Sequence, residues 1–222
     1  MKLLRIAIDG PGGSGKSTLA KRLSADYGIP YVDTGAMYRA IGYKIGKLNV
    51  PMEECPQMEK LVAETDIDFR DGKIFLDGDD VSSLIRTREV SMLASKCSAL
   101  PTVRRKLVAI QRKIGAEKSV VMDGRDIGTN VMPDAEYKFF VTASPEERAK
   151  RRYLELKEKG LDPDYDEVLR EINIRDKQDS TRELNPLCRA DDAVLVDTTD
   201  MDIEQSVNVI KKIIDAKTEK MI

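Results

Sequence analysis

The chain turns on one stretch near its start, RIAIDGPGGSGKSTLAKRL from Arg5 to Leu23. Leu3 to Ile8 is short and mostly apolar, the mark of a buried strand. Leu19, Leu23, Ala20 and Ala25 carry helical spacing toward Gly28, which predicts the helix's end. Between them, Gly10-Pro-Gly-Gly-Ser-Gly-Lys-Ser17 keeps the spacing G-x-x-x-x-G-K-[ST]. Glycines there let successive backbone N–H groups turn toward phosphate oxygens, where a side chain would block the approach. The helix that follows offers free amides and the positive end of its dipole. Lys16 is a mobile point charge for the β- and γ-phosphates, and the Ser17 hydroxyl can ligate Mg²⁺. Gly10, Pro11, Gly12, Gly13, Ser14, Gly15, Lys16, Ser17 and Thr18 are therefore the expected contacts of a nucleoside triphosphate.

The rest of the chain alternates strand and helix. PYVDTG (Pro30 to Gly35) reads as a strand and turn, followed by an amphipathic helix through about Lys47. SVVMDG, YKFFVTAS and DAVLVDTT are three further apolar runs with helical patterns between or after them. That order predicts an α/β fold, a parallel sheet flanked by helices, with ligands at the carboxyl ends of the strands. Gly10 to Ser17, Asp33 to Arg39 and Asp123 to Asp126 fall at such ends. IDFRDGKIFLDG (Ile67 to Gly78) breaks the rule: two alternating runs joined by Asp71-Gly72 predict a tight antiparallel hairpin. A single domain follows, with a core of about 1–61, 91–150 and 186–222 and a small antiparallel insert of about 62–90. A charged helical segment of about 151–185 completes it.

Composition decides what this fold can serve. The 222 residues are 41% hydrophobic and 34% charged, enough for a proper core. A net charge of −2 gives no general attraction to nucleic acid or acidic membranes, so neither is an expected partner. No run reaches the roughly 18 apolar residues of a membrane helix, and Arg5 and Asp9 interrupt any leader-like stretch. Three widely spaced cysteines without a Cys-x-x-Cys pair fit a reducing cytoplasm. Histidine is absent altogether, which removes Ser-His-Asp, Cys-His and histidine–metal chemistry at once. Lys, Arg, carboxylates and backbone amides must do the work.

Phosphate-loop proteins include switches, motors and small-molecule kinases. A GTP switch reads guanine with Asn-Lys-x-Asp, and this sequence has no Asn-Lys. A motor usually needs a longer chain. A hydroxyl acceptor must lose a proton to a positioned base. A nucleoside monophosphate presents an oxygen already ionised, its second pKa being about 6. Such an acceptor asks instead for several arginines. The segment Pro145 to Arg182 supplies Arg148, Arg151, Arg152, Arg170, Arg175 and Arg182, which reads as a mobile lid over the transferring group.

DTGAMYR after the second strand resembles the monophosphate-binding turn and helix of nucleoside monophosphate kinases. MDGRDIGT (Met122 to Thr129) is similar to cytidylate kinases in particular, as are SLIRTREVSMLAS with PTVR, SPEERAKRR and INIRDKQDSTR. The resemblance covers essentially the whole chain. It implies a five-stranded parallel sheet and ATP-dependent phosphorylation of CMP and dCMP, with Mg²⁺ on the ATP phosphates, by a monomer. Carried over by position, it implies that Arg39, Arg125 and Arg182 clamp the acceptor phosphate, where guanidinium forks suit paired oxygens. Arg104 would serve N3 and O2 of cytosine, while Asp126 and Ser95 receive from its amino group. Arg175 and Asp179 would hold the pentose, and Thr34 would approach the acceptor. Gln178 and Thr181 stand where some relatives carry arginine. Asp33 and Asp123 compete as the carboxylate that orients Mg²⁺ through water. Two other readings stay open: a kinase of a small hydroxyl acceptor of the shikimate- or deoxynucleoside-kinase kind, with Asp33 as base, and an ATP-gated binding module.

Overall fold

The computed structural model describes residues 3–70 and 72–219. In chain order it runs β1 (Arg5–Asp9), α1 (Lys16–Tyr27), β2 (Tyr31–Asp33), α2 (Thr34–Leu48), α3 (Pro56–Ala63), β3 (Ile67–Arg70), β4 (Lys73–Leu76) and β5 (Asp79–Asp80). It continues with α4 (Arg88–Cys97), α5 (Pro101–Glu117), β6 (Val120–Gly124), a π-helical turn (Ile127–Val131) and β7 (Tyr137–Thr142). The last elements are α6 (Pro145–Glu158), α7 (Tyr165–Thr181), β8 (Val194–Asp197) and α8 (Ile203–Glu219). The large sheet has five parallel strands in the order β2-β6-β1-β7-β8, flanked by helices. The chain divides into two compact units, one of residues up to Ile29 with those from Val121 onward, the other Pro30–Val120.

In the first unit, β1 pairs with β7 and β7 with β8, both in parallel. Parallel neighbours need crossovers, and the helices between strands supply them. Their apolar runs become the core: Ile6, Ile8, Phe139 and Val141 are buried, with Leu19 and Leu23 of α1. Helix α1 packs on α8, and α6 on α7. Among the described residues, no helix is long and apolar enough to cross a membrane.

In the second unit, Met37, Ile41 and Ile45 form the buried stripe of α2. Helix α2 packs against α4 and β4, and α3 against α5. Strands β3 and β4 pair antiparallel from Ile67↔Leu76 to Arg70↔Lys73, leaving a two-residue turn as the spacing predicts. Gly72 has φ 73°, as such a turn requires, while Asp71 lies outside the described residues. The sheet has one strand more than the sequence predicts. Strand β5, two aspartates long, pairs with β4 through Phe75↔Asp80 and Leu76↔Asp79.

Candidate active site

Strand β1 delivers the chain into the glycine loop, and α1 carries it away. Gly15 is the N-cap of α1 at φ 85° and brings no capping side chain, and the first turn holds no acidic residue. Helices α6 and α7 of this unit differ. Ser144 caps α6 and Asp164 caps α7, with Glu146, Glu147, Asp166 and Glu167 in their first turns. Helix α1 thus turns its N-terminus toward the loop with no side-chain cap and no first-turn acid to compete with an outside anion. The Ser14 hydroxyl is buried and has no hydrogen-bond partner among the described residues. Lys16 is buried and donates to the Pro11 carbonyl at 2.9 Å. Burial, with the nearby charge of Arg125, pushes its ammonium down to about 7, and Asp123 acts in the opposite direction.

The Ser17 hydroxyl donates to Asp123 Oδ2 at 2.6 Å, joining the first turn of α1 to the end of β6. A hydroxyl and a carboxylate side by side are hard oxygen donors of the kind Mg²⁺ takes. The residues therefore fit the triphosphate and cation that the loop implies.

The arginines of this unit are set by carboxylates. Arg125 Nε donates to Asp179 Oδ2 at 2.7 Å, and Arg175 Nε lies 3.9 Å from the same oxygen. Burial works against the charge of Asp179, yet the guanidinium groups of Arg125 and Arg175 hold its carboxyl below the usual range. Arg182 Nη2 donates to Asp126 Oδ1 at 3.2 Å and to the Asn185 carbonyl at 2.6 Å. The cluster adjoins the loop, for a side chain at Gly12 would meet Arg125 Nη2 at 3.6 Å and Arg175 Cδ at 3.9 Å. So the structure brings together Lys16, Ser17, Asp123, Arg125, Asp126, Arg175, Asp179 and Arg182.

Within the second unit, Asp33 caps α2 by accepting from the Ala36 N–H at 2.9 Å. Its other oxygen accepts from Arg39 Nη2 at 2.8 Å. Thr34 is buried at the first position of that helix. Arg104 on α5 is 2% exposed. It donates to the Ser98 carbonyl at 3.3 Å and lies 5.8 Å from the Tyr38 ring centroid. Ser95 stands on α4, the helix that packs against α2.

Sequence reasoning missed several supports of the loop. Arg148, counted above only among the charged lid arginines, is 3% exposed. It donates to the carbonyls of Ala143 and Gly12 at 2.9 and 3.1 Å and pairs bidentately with Asp176 at 3.1 and 2.6 Å. Thr198 donates to the Ser14 carbonyl at 3.2 Å and its own carbonyl accepts from Arg151 Nη2 at 2.6 Å. Its place just after the last apolar strand is the signal that marks it. A cleft of about 550 Å³ opens beside these groups, lined by Pro11, Ala143, Arg148, Ser180, Leu187 and Thr199.

The profile of the cytidylate kinase family matches residues 6–217. A cytidylate kinase of Caldicellulosiruptor bescii is 49% identical over 219 residues, covering 97% of this chain and 96% of its own. One from Caldanaerobacter subterraneus subsp. tengcongensis is 50% identical over 216 residues, with coverage of 97% and 96%. Among solved structures, a shikimate kinase from Bacteroides thetaiotaomicron aligns over 96% of this chain and 99% of its own, at TM-score 0.50 and 14% identity. At that identity the likeness speaks for the fold alone. A full-length profile match and half-identical relatives, on a chain with the phosphate loop and arginine cluster described, establish the family: the chain belongs to the cytidylate kinases.

Proposed function

We propose that this protein transfers the γ-phosphoryl group of ATP directly to CMP and dCMP, giving the diphosphates. The observation that carries the reading is a set of arginines each paired with a carboxylate: Arg125 with Asp179, Arg182 with Asp126 and Arg39 with Asp33. Guanidinium groups fixed in advance stabilise phosphate charge without reorganising during transfer. An acceptor phosphate with a second pKa of about 6 is its own nucleophile at neutral pH, so no base is required. A hydroxyl acceptor would need one. Asp33, the candidate, has one oxygen on the Ala36 amide and the other on Arg39, which supports the phosphate acceptor instead.

The roles divide as follows. The amides from Gly12 to Thr18 and the Lys16 ammonium bind the donor phosphates, and the cleft between Pro11 and Leu187 takes the donor's nucleoside; its volume is ordinary for a small-ligand site. Mg²⁺, when bound, supplies charge neutralisation on the donor phosphates; Ser17 and Asp123 are the residues to hold it. Arg39, Arg125 and Arg182 bind the acceptor phosphate, while Arg175 and Asp179 hold the pentose. Arg104 donates to the cytosine ring, and Asp126 and Ser95 accept from its amino group. Uracil, with a carbonyl in that place, sets acceptor against acceptor there. Helices α6 and α7 close over the donor and exclude water. The protein works as a monomer in the cytoplasm.

The test is turnover of ATP with CMP, dCMP, UMP, AMP, GMP and cytidine by the purified protein. CMP and dCMP are the expected substrates. Equal turnover of AMP or GMP would sink the specificity, and phosphorylation of cytidine but not CMP would sink the whole reading.

A further inference from the structure

Asp9 is the last residue of β1, and the phosphate loop begins at the next residue. Its carboxylate is buried, with the residue 5% exposed, and nothing in the reaction above uses it. Oδ1 accepts the N–H of Ile127 at 2.8 Å and Oδ2 the N–H of Gly128 at 2.7 Å. Two successive backbone donors of the π-helical turn thus converge on one carboxylate, a charge-assisted pair. Those residues follow Arg125 and Asp126 directly. From its other side the turn grips Asp126: the N–H groups of Asn130 and Val131 donate to the Asp126 carbonyl at 3.0 and 3.1 Å. The Asn130 amide donates to the Asp126 carboxylate at 3.0 Å.

Gly128 is where this contact is tightest. A Cβ there would lie 3.2 Å from Lys138 Cδ and 3.4 Å from Asp9 Oδ2. Lys138 is itself buried, its ammonium bonded to the Pro133 carbonyl and to Asp192 at 3.0 Å. Burial pushes the Asp9 carboxyl up to about 6, against the pull of the two amides; Asp126 adds to the rise and Arg125 opposes it. An apolar side chain would cost less to bury at this strand end. It would leave the two amides of the turn without an acceptor.

We propose that Asp9 is a positioning residue for the acceptor nucleotide, pinning the turn behind Arg125 and Asp126 to the strand that carries the phosphate loop. The inference rests on reading Arg125 and Asp126 as acceptor contacts.

Asp9→Asn keeps the volume and one acceptor oxygen but turns an NH₂ group toward one of the two amides. The expected result is a KM for CMP raised about tenfold, below the roughly hundredfold that an ångström's displacement brings. KM for ATP stays within about twofold, and the preference for CMP over UMP falls. Combined with Asp126→Asn, D9N adds little further loss, because both act through one group. Gly128→Ala, which presses on Lys138 and Asp9 without removing a charge, shifts the same parameters in the same direction and decides the matter if D9N does not fold. Parallel rises in both KM values, or an unchanged CMP/UMP ratio in the folded variants, would make Asp9 a part of the fold only. A wild-type protein inactive on CMP would instead overturn the underlying reading.

Discussion

Asp33 Oδ2 accepts a hydrogen bond from Arg39 Nη2 at 2.8 Å, while the same carboxylate caps the helix on which Arg39 stands. One side chain thus starts α2 and aims its arginine. It is not disposed to take a proton from a substrate hydroxyl. Asp33→Asn is expected to keep stability within about 0.5 kcal/mol, since asparagine caps a helix about as well as aspartate, and to lower kcat/KM for CMP by about tenfold through Arg39. Thermal unfolding and steady-state kinetics measure both. A loss of about 10⁴-fold or more, the upper end for general base removal, would restore the base.

Ser17 and Asp123, 2.6 Å apart, stand between the loop and the end of β6. Chelation of Mg²⁺ is expected to abolish transfer, and Asp123→Asn to raise the Mg²⁺ concentration for half-maximal rate by about tenfold, as loss of an orienting carboxylate does elsewhere. An unaltered Mg²⁺ dependence in D123N would remove Asp123 from the cation site.

Lys16 supplies the pH prediction. With its ammonium lowered to about 7 by burial and Arg125, the free protein holds it mostly neutral at pH 8.5. A bound triphosphate restores the charge, so ATP binding at that pH should take up close to one proton, about the full titration of one lysine. Titration calorimetry in buffers of different ionisation enthalpy reads that uptake, which Lys16→Met should erase. The sign for folding follows: between about 7 and the unfolded value near 10.5 the unfolded chain binds more protons. This residue therefore favours the folded state increasingly as pH rises through that window.

Arg104 is buried against Tyr38 and bonded to the Ser98 carbonyl. Arg104→Met should cost CMP about 2 kcal/mol of transition-state binding, roughly 30-fold in kcat/KM, and UMP less. An equal loss on both nucleotides would mean that Arg104 serves the fold rather than the base.

Much of the fold was legible because the loop spacing and the apolar runs are local signals. Strand β5 was not: two aspartates carry no periodicity, although Asp77-Gly78 repeats the turn signal of the first hairpin. The π-helical turn after Asp126 leaves no residue pattern of its own. The pairings within the site were the least legible part. Arg125 and Asp179 are 54 residues apart and Arg182 and Asp126 are 56, so motif spacing places each residue type but not its partner. Arg148 shows the reverse error. In sequence it is one charge in a crowded helix; in space it bonds Gly12 and Asp176.

At the centre stands a transfer between two phosphates in which positive charge, not proton removal, does the chemistry. Replacing Arg125 and Arg182 together with methionine and following CDP formation from CMP tests it most directly. The expected result is a fall in kcat/KM of at least about 10³-fold, the scale of losing donors aimed at developing charge, in a protein that still folds and binds ATP. Undiminished CDP formation by that folded variant would contradict it.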